Sequence, residues 1–144
     1  MAIHRLKHMM QSNRSSGCGP ACLAIVSGRS EDEAIKAIFG DGRSKELRTY
    51  WPDLNRGLMG LGVSVNGRAR RAGSWKSIKS TAIVACGRIK GATRSKDKWH
   101  WVVFQPNESG GPGLIYDPLR SDPYEPDGRT RKPFSYLPVT PIHD

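Results

Sequence analysis

Long apolar runs are missing from this chain of 144 residues. The longest, around Ala21 to Val26, falls far short of the roughly 18 residues that a membrane-spanning helix needs, so no transmembrane segment is expected. The N-terminal stretch MAIHRLKHMMQSNRSS has charge but no apolar centre of the kind a secretory signal carries. The expected location is therefore the cytoplasm, with non-classical export as the other route. Cysteine is scarce: three residues, unevenly placed, cannot make a disulfide framework, so each is expected as a free thiol with its own explanation. Internal repeats, heptads and low-complexity tracts are also missing, which points to a single domain over 1–144. Acidic residues are few, 13 against 23 Lys and Arg, for a formal net charge of +10.

The positive charge is concentrated. Between residues 66 and 98 stand Arg68, Arg70, Arg71, Lys76, Lys79, Arg88, Lys90, Arg94, Lys96 and Lys98, opposed only by Asp97. Such a field favours an acidic partner, while a solvated basic face that aids solubility is the plainer account.

Patterning divides the chain into a helical half and a strand-forming half. Cys18 to Val26 (CGPACLAIV) reads as a helix entered through Gly17-Cys18-Gly19-Pro20 and stopped at Gly28. Ser30-Glu31-Asp32-Glu33 is a capping box, followed by Ile35, Ile38 and Phe39 at helical spacing. A third helical region is expected to break at Pro52 and resume at Asp53, with Leu54, Leu58 and Leu61 on one face. Extended structure starts at Val63 and Val65 and returns in TAIVAC, WHWVVFQ and GLIY, the last two joined by the turn-rich loop PNESGGPG. Six of the ten prolines lie beyond Asp117, so residues 119–144 are expected as a surface-wrapping tail with little regular structure, and residues 1–10 as a flexible N-terminus. Helices first and strands after indicate an α+β fold with an antiparallel sheet.

Three side chains carry the candidate chemistry. Cys18 stands at a helix start, where unsatisfied N–H groups and the positive end of the dipole favour a thiolate, and the flanking Gly17 and Gly19 leave room for a substrate. Its candidate base is His100, which alternation puts on one face of its strand with Val102 and Phe104, while Trp99, Trp101 and Val103 take the other. Asp117 ends the next strand and could accept from the imidazole and fix its tautomer. Plainer accounts are a small core cysteine, a half-buried strand histidine and an Asp-Pro turn starter.

The ordered set Gln11, Cys18 in CGPACLAIV, His100 in HWVVF and Asp117 in DP resembles the papain-like cysteine peptidases. Within them it is most similar to the double-glycine leader peptidase domains of bacteriocin exporters and their stand-alone relatives. The resemblance spans residues 11–119 and implies a papain-like fold, with an N-terminal helical half carrying the nucleophile helix against an antiparallel sheet. It implies Cys18 as nucleophile, His100 as general base and acid, Asp117 as its orienter, and Gln11 as a side-chain donor to the oxyanion beside the Cys18 N–H. It also implies an aromatic shield over the His–Asp pair, which Trp99 or Trp101 could supply.

The expected function is thus a cysteine hydrolase that cleaves a peptide or isopeptide bond through a thioester acyl-enzyme. It would act as a monomer on a protein or peptide substrate, an acidic one if the basic 66–98 segment lies beside the cleft, with no cofactor, no metal and no membrane. A deamidase or transglutaminase would use the same intermediate, and a bacterial effector, toxin or phage protease would suit a small enzyme of this kind. Two readings of other classes compete. His4, His8, Cys18 and Cys22, in two i, i+4 pairs, could ligate zinc, although structural zinc cysteines usually come at two-residue spacing on a turn. Arg68-Ala69-Arg70-Arg71 near Trp75, with the basic loop before Trp99, could bind nucleic acid, although no recognised nucleic-acid motif accompanies them.

Overall fold

A computed structural model describes residues 6–12, 17–40, 49–87 and 100–142. Among these are three helices, α1 (Cys18–Ser27), α2 (Glu31–Phe39) and α3 (Trp51–Gly60), followed by six strands. The strands are β1 (Ser64–Val65), β2 (Arg70–Arg71), β3 (Ala82–Cys86), β4 (His100–Gln105), β5 (Leu114–Tyr116) and β6 (Pro133–Thr140). The fold is α+β, and every strand pairing is antiparallel.

Local chemistry sets the helix ends. Gly28 closes α1 in the left-handed conformation (φ 72°), returning its N–H to the Ala24 carbonyl. Ser30 caps α2 by accepting from Glu33 N at 3.1 Å. Pro52 opens α3 rather than breaking it, because a proline in the first turn gives up an N–H that has no intrahelical partner there. Whatever precedes it at 41–48 lies outside the described residues.

The sheet runs β1-β6-β3-β4-β5, with β2 also on β6. Its two faces bury separate clusters. Leu23, Val26, Leu54, Leu58, Ile83, Trp101, Val103 and Leu137 join the helices to one face; Ile78, Val84, Val102, Phe104 and Ile115 cover the other beneath Trp75, Tyr124 and Tyr136. With both faces covered, all six residues of β4 are buried, as an apolar run rather than a half-exposed alternation requires.

The segments expected to be irregular are ordered into this frame. Within 119–144, β6 is an eight-residue strand at the interior of the sheet, paired with β3 along five positions. Pro138 is tolerated because a strand residue points its N–H and C=O to the same side. The Pro138 carbonyl accepts from Asn66 N at 2.9 Å, so the missing donor faces the gap between β1 and β2 and leaves the β3 ladder whole. The N-terminus is likewise held from Leu6 onward. Leu6 is buried in the main core cluster, and its N–H donates to the Tyr116 hydroxyl at 3.0 Å.

No helix among the described residues is long and apolar enough to cross a membrane. Helix packing is tightest at Gly57, where a Cβ would come within 2.4 Å of Leu23 Cδ2 and 2.7 Å of Ile38 Cγ1. Gly57→Ala is expected to destabilise the fold, since overpacking costs about 1–3 kcal/mol against a helix-propensity gain of about 1 kcal/mol. The check is the urea unfolding midpoint, and a midpoint at or above that of the parent would refute this packing.

Candidate active site

The start of α1 differs from the start of α2 in two ways. Gly17, the N-cap of α1, offers no side-chain cap, and the first turn holds no acid, whereas α2 has Glu31, Asp32 and Glu33 there. Pro20 has no N–H to donate. With no side-chain cap from Gly17 and no acid in the first turn, the Cys18 and Gly19 N–H groups and the positive dipole end form an arrangement that suits an anion or a thiolate. Gly17 itself is buried, its carbonyl accepting from Ala21 N at 3.2 Å.

Cys18 is half-buried, while Cys22, one turn on, and Cys86, in β3, are buried. Burial pushes the Cys22 thiol well up and Cys86 to about 12, with further upward pressure from neighbouring negative groups, so both stay neutral core residues. Gly19 is required by a close approach: a Cβ there would stand 2.0 Å from Thr49 Oγ1. Thr49 is buried, and its carbonyl accepts from Trp101 Nε1 at 3.2 Å. The start of α1, the residue ahead of α3 and strand β4 are thus locked together. Nothing local in the sequence marks Thr49, because its partners are 30 and 52 positions away.

His100 opens β4, opposite Cys86 in the ladder with β3. On the other side of β4, Val103 pairs with Tyr116, a register that sets Asp117 against Val102. His100, two residues from Val102, is then a diagonal neighbour of Asp117 on the same face. The outcome is a buried bond of 2.6 Å from His100 Nε2 to Asp117 Oδ1. Asp117 Oδ1 also accepts from Leu119 N at 2.9 Å. Cys18 is close enough to His100 to act on the imidazole through hydrogen bonding and charge, and Nε2 is committed to Asp117.

Burial by itself would push His100 down. The hydrogen bonds to Asp117 and Cys18 and the charge of both overcome it and lift the imidazole to about 9. Burial pushes Asp117 the other way, but its bond to His100 and the imidazolium charge hold the carboxyl below its ordinary value. At neutral pH the pair is therefore imidazolium and carboxylate.

Gln11 is also brought to this corner. It is buried, and its N–H donates to the Pro118 carbonyl at 2.9 Å, next to Asp117 in the chain. Trp101 is not brought to the solvent side of the pair. It is 3 % exposed on the helix-facing side of the sheet, edge-on to Trp51 at 4.5 Å, as strand alternation from His100 demands. Trp99 lies outside the described residues.

The metal-ligand set does not assemble among the described residues. Cys22 is sealed in the core, His8 Nε2 bonds the Arg120 carbonyl at 2.7 Å, and among the described residues no group of three His, Cys, Asp or Glu side chains is placed to hold a metal ion. His4 lies outside the described residues. Of the basic stretch, Arg68, Arg70, Arg71, Lys76 and Lys79 are exposed, and the five cations from Arg88 to Lys98 lie outside the described residues.

Neither a protein-family model nor a curated protein matches the sequence.

The His–Asp pair predicts a pH dependence of stability. A histidine lifted from 6.5 to about 9 stabilises the fold fully below pH 6.5, and this contribution disappears as pH rises through about 9. At ~1.4 kcal/mol per pKa unit, the loss over that window is of order 1–3 kcal/mol. The urea midpoint of the parent protein should fall between pH 6.5 and 9, and Asp117→Asn should flatten the fall; a flat parent profile would contradict the pairing.

Proposed function

We propose that the protein is a cysteine hydrolase of papain-like design, which cleaves a peptide or isopeptide bond through a thioester acyl-enzyme. The observation that carries this reading is the position of Cys18. It stands at an uncapped helix start, within hydrogen-bonding reach of an imidazole whose other nitrogen is bonded to a buried carboxylate. Nucleophile, base and orienter in that order are what acyl transfer by a thiol requires.

In this mechanism Cys18 Sγ attacks the substrate carbonyl carbon while its proton resides on His100 Nδ1. The carbonyl oxygen becomes an oxyanion, which would accept from the Cys18 N–H at the helix start and from the Gln11 side-chain amide. Collapse breaks the C–N bond, and His100 gives its proton to the departing amine. A water then adds to the thioester, losing its proton to His100, and the acid product leaves as Cys18 regains a thiol. Asp117 holds the ring so that Nδ1 faces the sulfur throughout, and stabilises the imidazolium.

Alkylation by iodoacetamide, mapped by mass spectrometry, tests the reading. Cys18 should react at least about tenfold faster than Cys22 and Cys86. Burial alone would slow those two, so the deciding comparison is Cys18 itself in the parent and in His100→Ala, where removal of the imidazole should slow its labelling about tenfold or more. An unchanged Cys18 rate in His100→Ala would sink the assignment. Hydrolysis is read directly by digesting a library of tryptic peptides, with every authentic cut absent from Cys18→Ala.

A further inference from the structure

Acyl transfer sends the two halves of a substrate to different places. The acyl half stays on Cys18, and the leaving half departs beside the acid that protonates it, His100. Next to His100 is a cavity of about 810 Å³ whose wall includes His100 and Asp117 but not Cys18. Cys86 and Val102 line it from the cluster on the sheet face away from the helices. With Cys18 as nucleophile and His100 as acid, this cavity would lie on the leaving-group side of the reacting carbonyl.

Its charge is distinctive. Residues 99–144 contain only four Lys or Arg, and three of them, Arg120, Arg129 and Arg131, line this cavity. Among the described residues none of the three is in an ion pair, and Arg120 lies over the Tyr124 ring at 4.8 Å from its centroid. Three carboxylates share the wall. Asp117 is engaged by His100, and Asp127 is turned into its own loop, accepting from Arg129 N at 2.7 Å and Thr130 Oγ1 at 3.3 Å. Glu125 remains as the opposing charge. The guanidiniums act on the wall: burial pushes Cys86 up and Arg131 opposes it, and Arg120 is among the groups that hold Asp117 down against burial.

We propose that this cavity is the subsite for the leaving half of the substrate, and that Arg120, Arg129 and Arg131 select an acidic side chain there. The proposal rests on the acyl-transfer reading above. A guanidinium with no carboxylate partner of its own offers a planar pair of donors that a substrate carboxylate matches better than any neutral side chain.

The test uses the full chain and the tryptic peptide library, with product ends sequenced by mass spectrometry. Asp and Glu should be enriched in the first residues on the carboxyl side of the cut bond. The double variant Arg120→Ala, Arg131→Ala should lower the acidic-to-neutral ratio there about tenfold, the size expected for a lost charge-assisted bond. Arg131→Glu, which puts a carboxylate in place of a guanidinium, should turn the enrichment of Asp and Glu into a depletion. Cys18-dependent cleavage with no acidic enrichment on that side, or with enrichment indifferent to these variants, overturns the subsite and leaves the Cys18 chemistry standing. Absence of any Cys18-dependent cleavage overturns both.

Discussion

The buried bond between His100 and Asp117 is the constraint on which the rest of this corner depends. Either charge alone, taken out of water, would be expensive; together, and with Leu119 N on the same carboxylate oxygen, each justifies the other. To keep the bond, β4 and β5 must hold one register, since a one-residue slip would turn the two side chains to opposite faces. Tyr116 reinforces that register from within, its hydroxyl donating to Gln105 Oε1 at 2.7 Å across the same hairpin. The segment after Asp117 then presents the Pro118 and Arg120 carbonyls, on which Gln11 and His8 are hung. One polar pair thereby orders the hairpin, the chain entering α1 and the direction in which the imidazole faces.

The thiol side is organised by packing rather than by charge. α1 is buried from Gly19 to Ser27 between the other two helices and the sheet, so its first turn has little freedom to shift. Gly19 and Gly57 let α1 approach Thr49 and α3 more closely than a side chain would permit. Rigid placement of the sulfur by a core helix, and of the imidazole by a core strand, is what a reaction sensitive to ångström errors needs. The proposed hydrolase uses the seam between these two elements, and the arginine-lined cavity opens beside the strand partner.

Much of this was legible in the residues. Apolar 3.6-residue spacing and capping chemistry identified α1 and α2, and β-branched and aromatic runs identified β3, β4 and β5, because these signals are local. Proline misled at two positions. Pro52 is a helix opener, and Pro138 sits inside β6, since what decides a proline's tolerance is where its missing N–H would have pointed. The gap between β1 and β2 that accommodates Pro138 is invisible from residues 133–140 alone. Trp101 could not be assigned either: alternation separated it from His100, but its burial against Trp51 and Thr49 is a property of the assembled helical layer.

By itself the sequence determined the α+β order of elements, the thiol at a helix start, the histidine on a strand and the acid at the end of the next, because periodicity, caps and turn residues act over a few positions. The tertiary structure alone decided that the imidazole spends Nε2 on Asp117 with Cys18 as a further neighbour, that β6 belongs inside the sheet, and that three arginines from the C-terminal segment line one cavity. Those outcomes depend on strand register and on the burial of charge, and both are set by residues distant in the chain that meet only when the core closes.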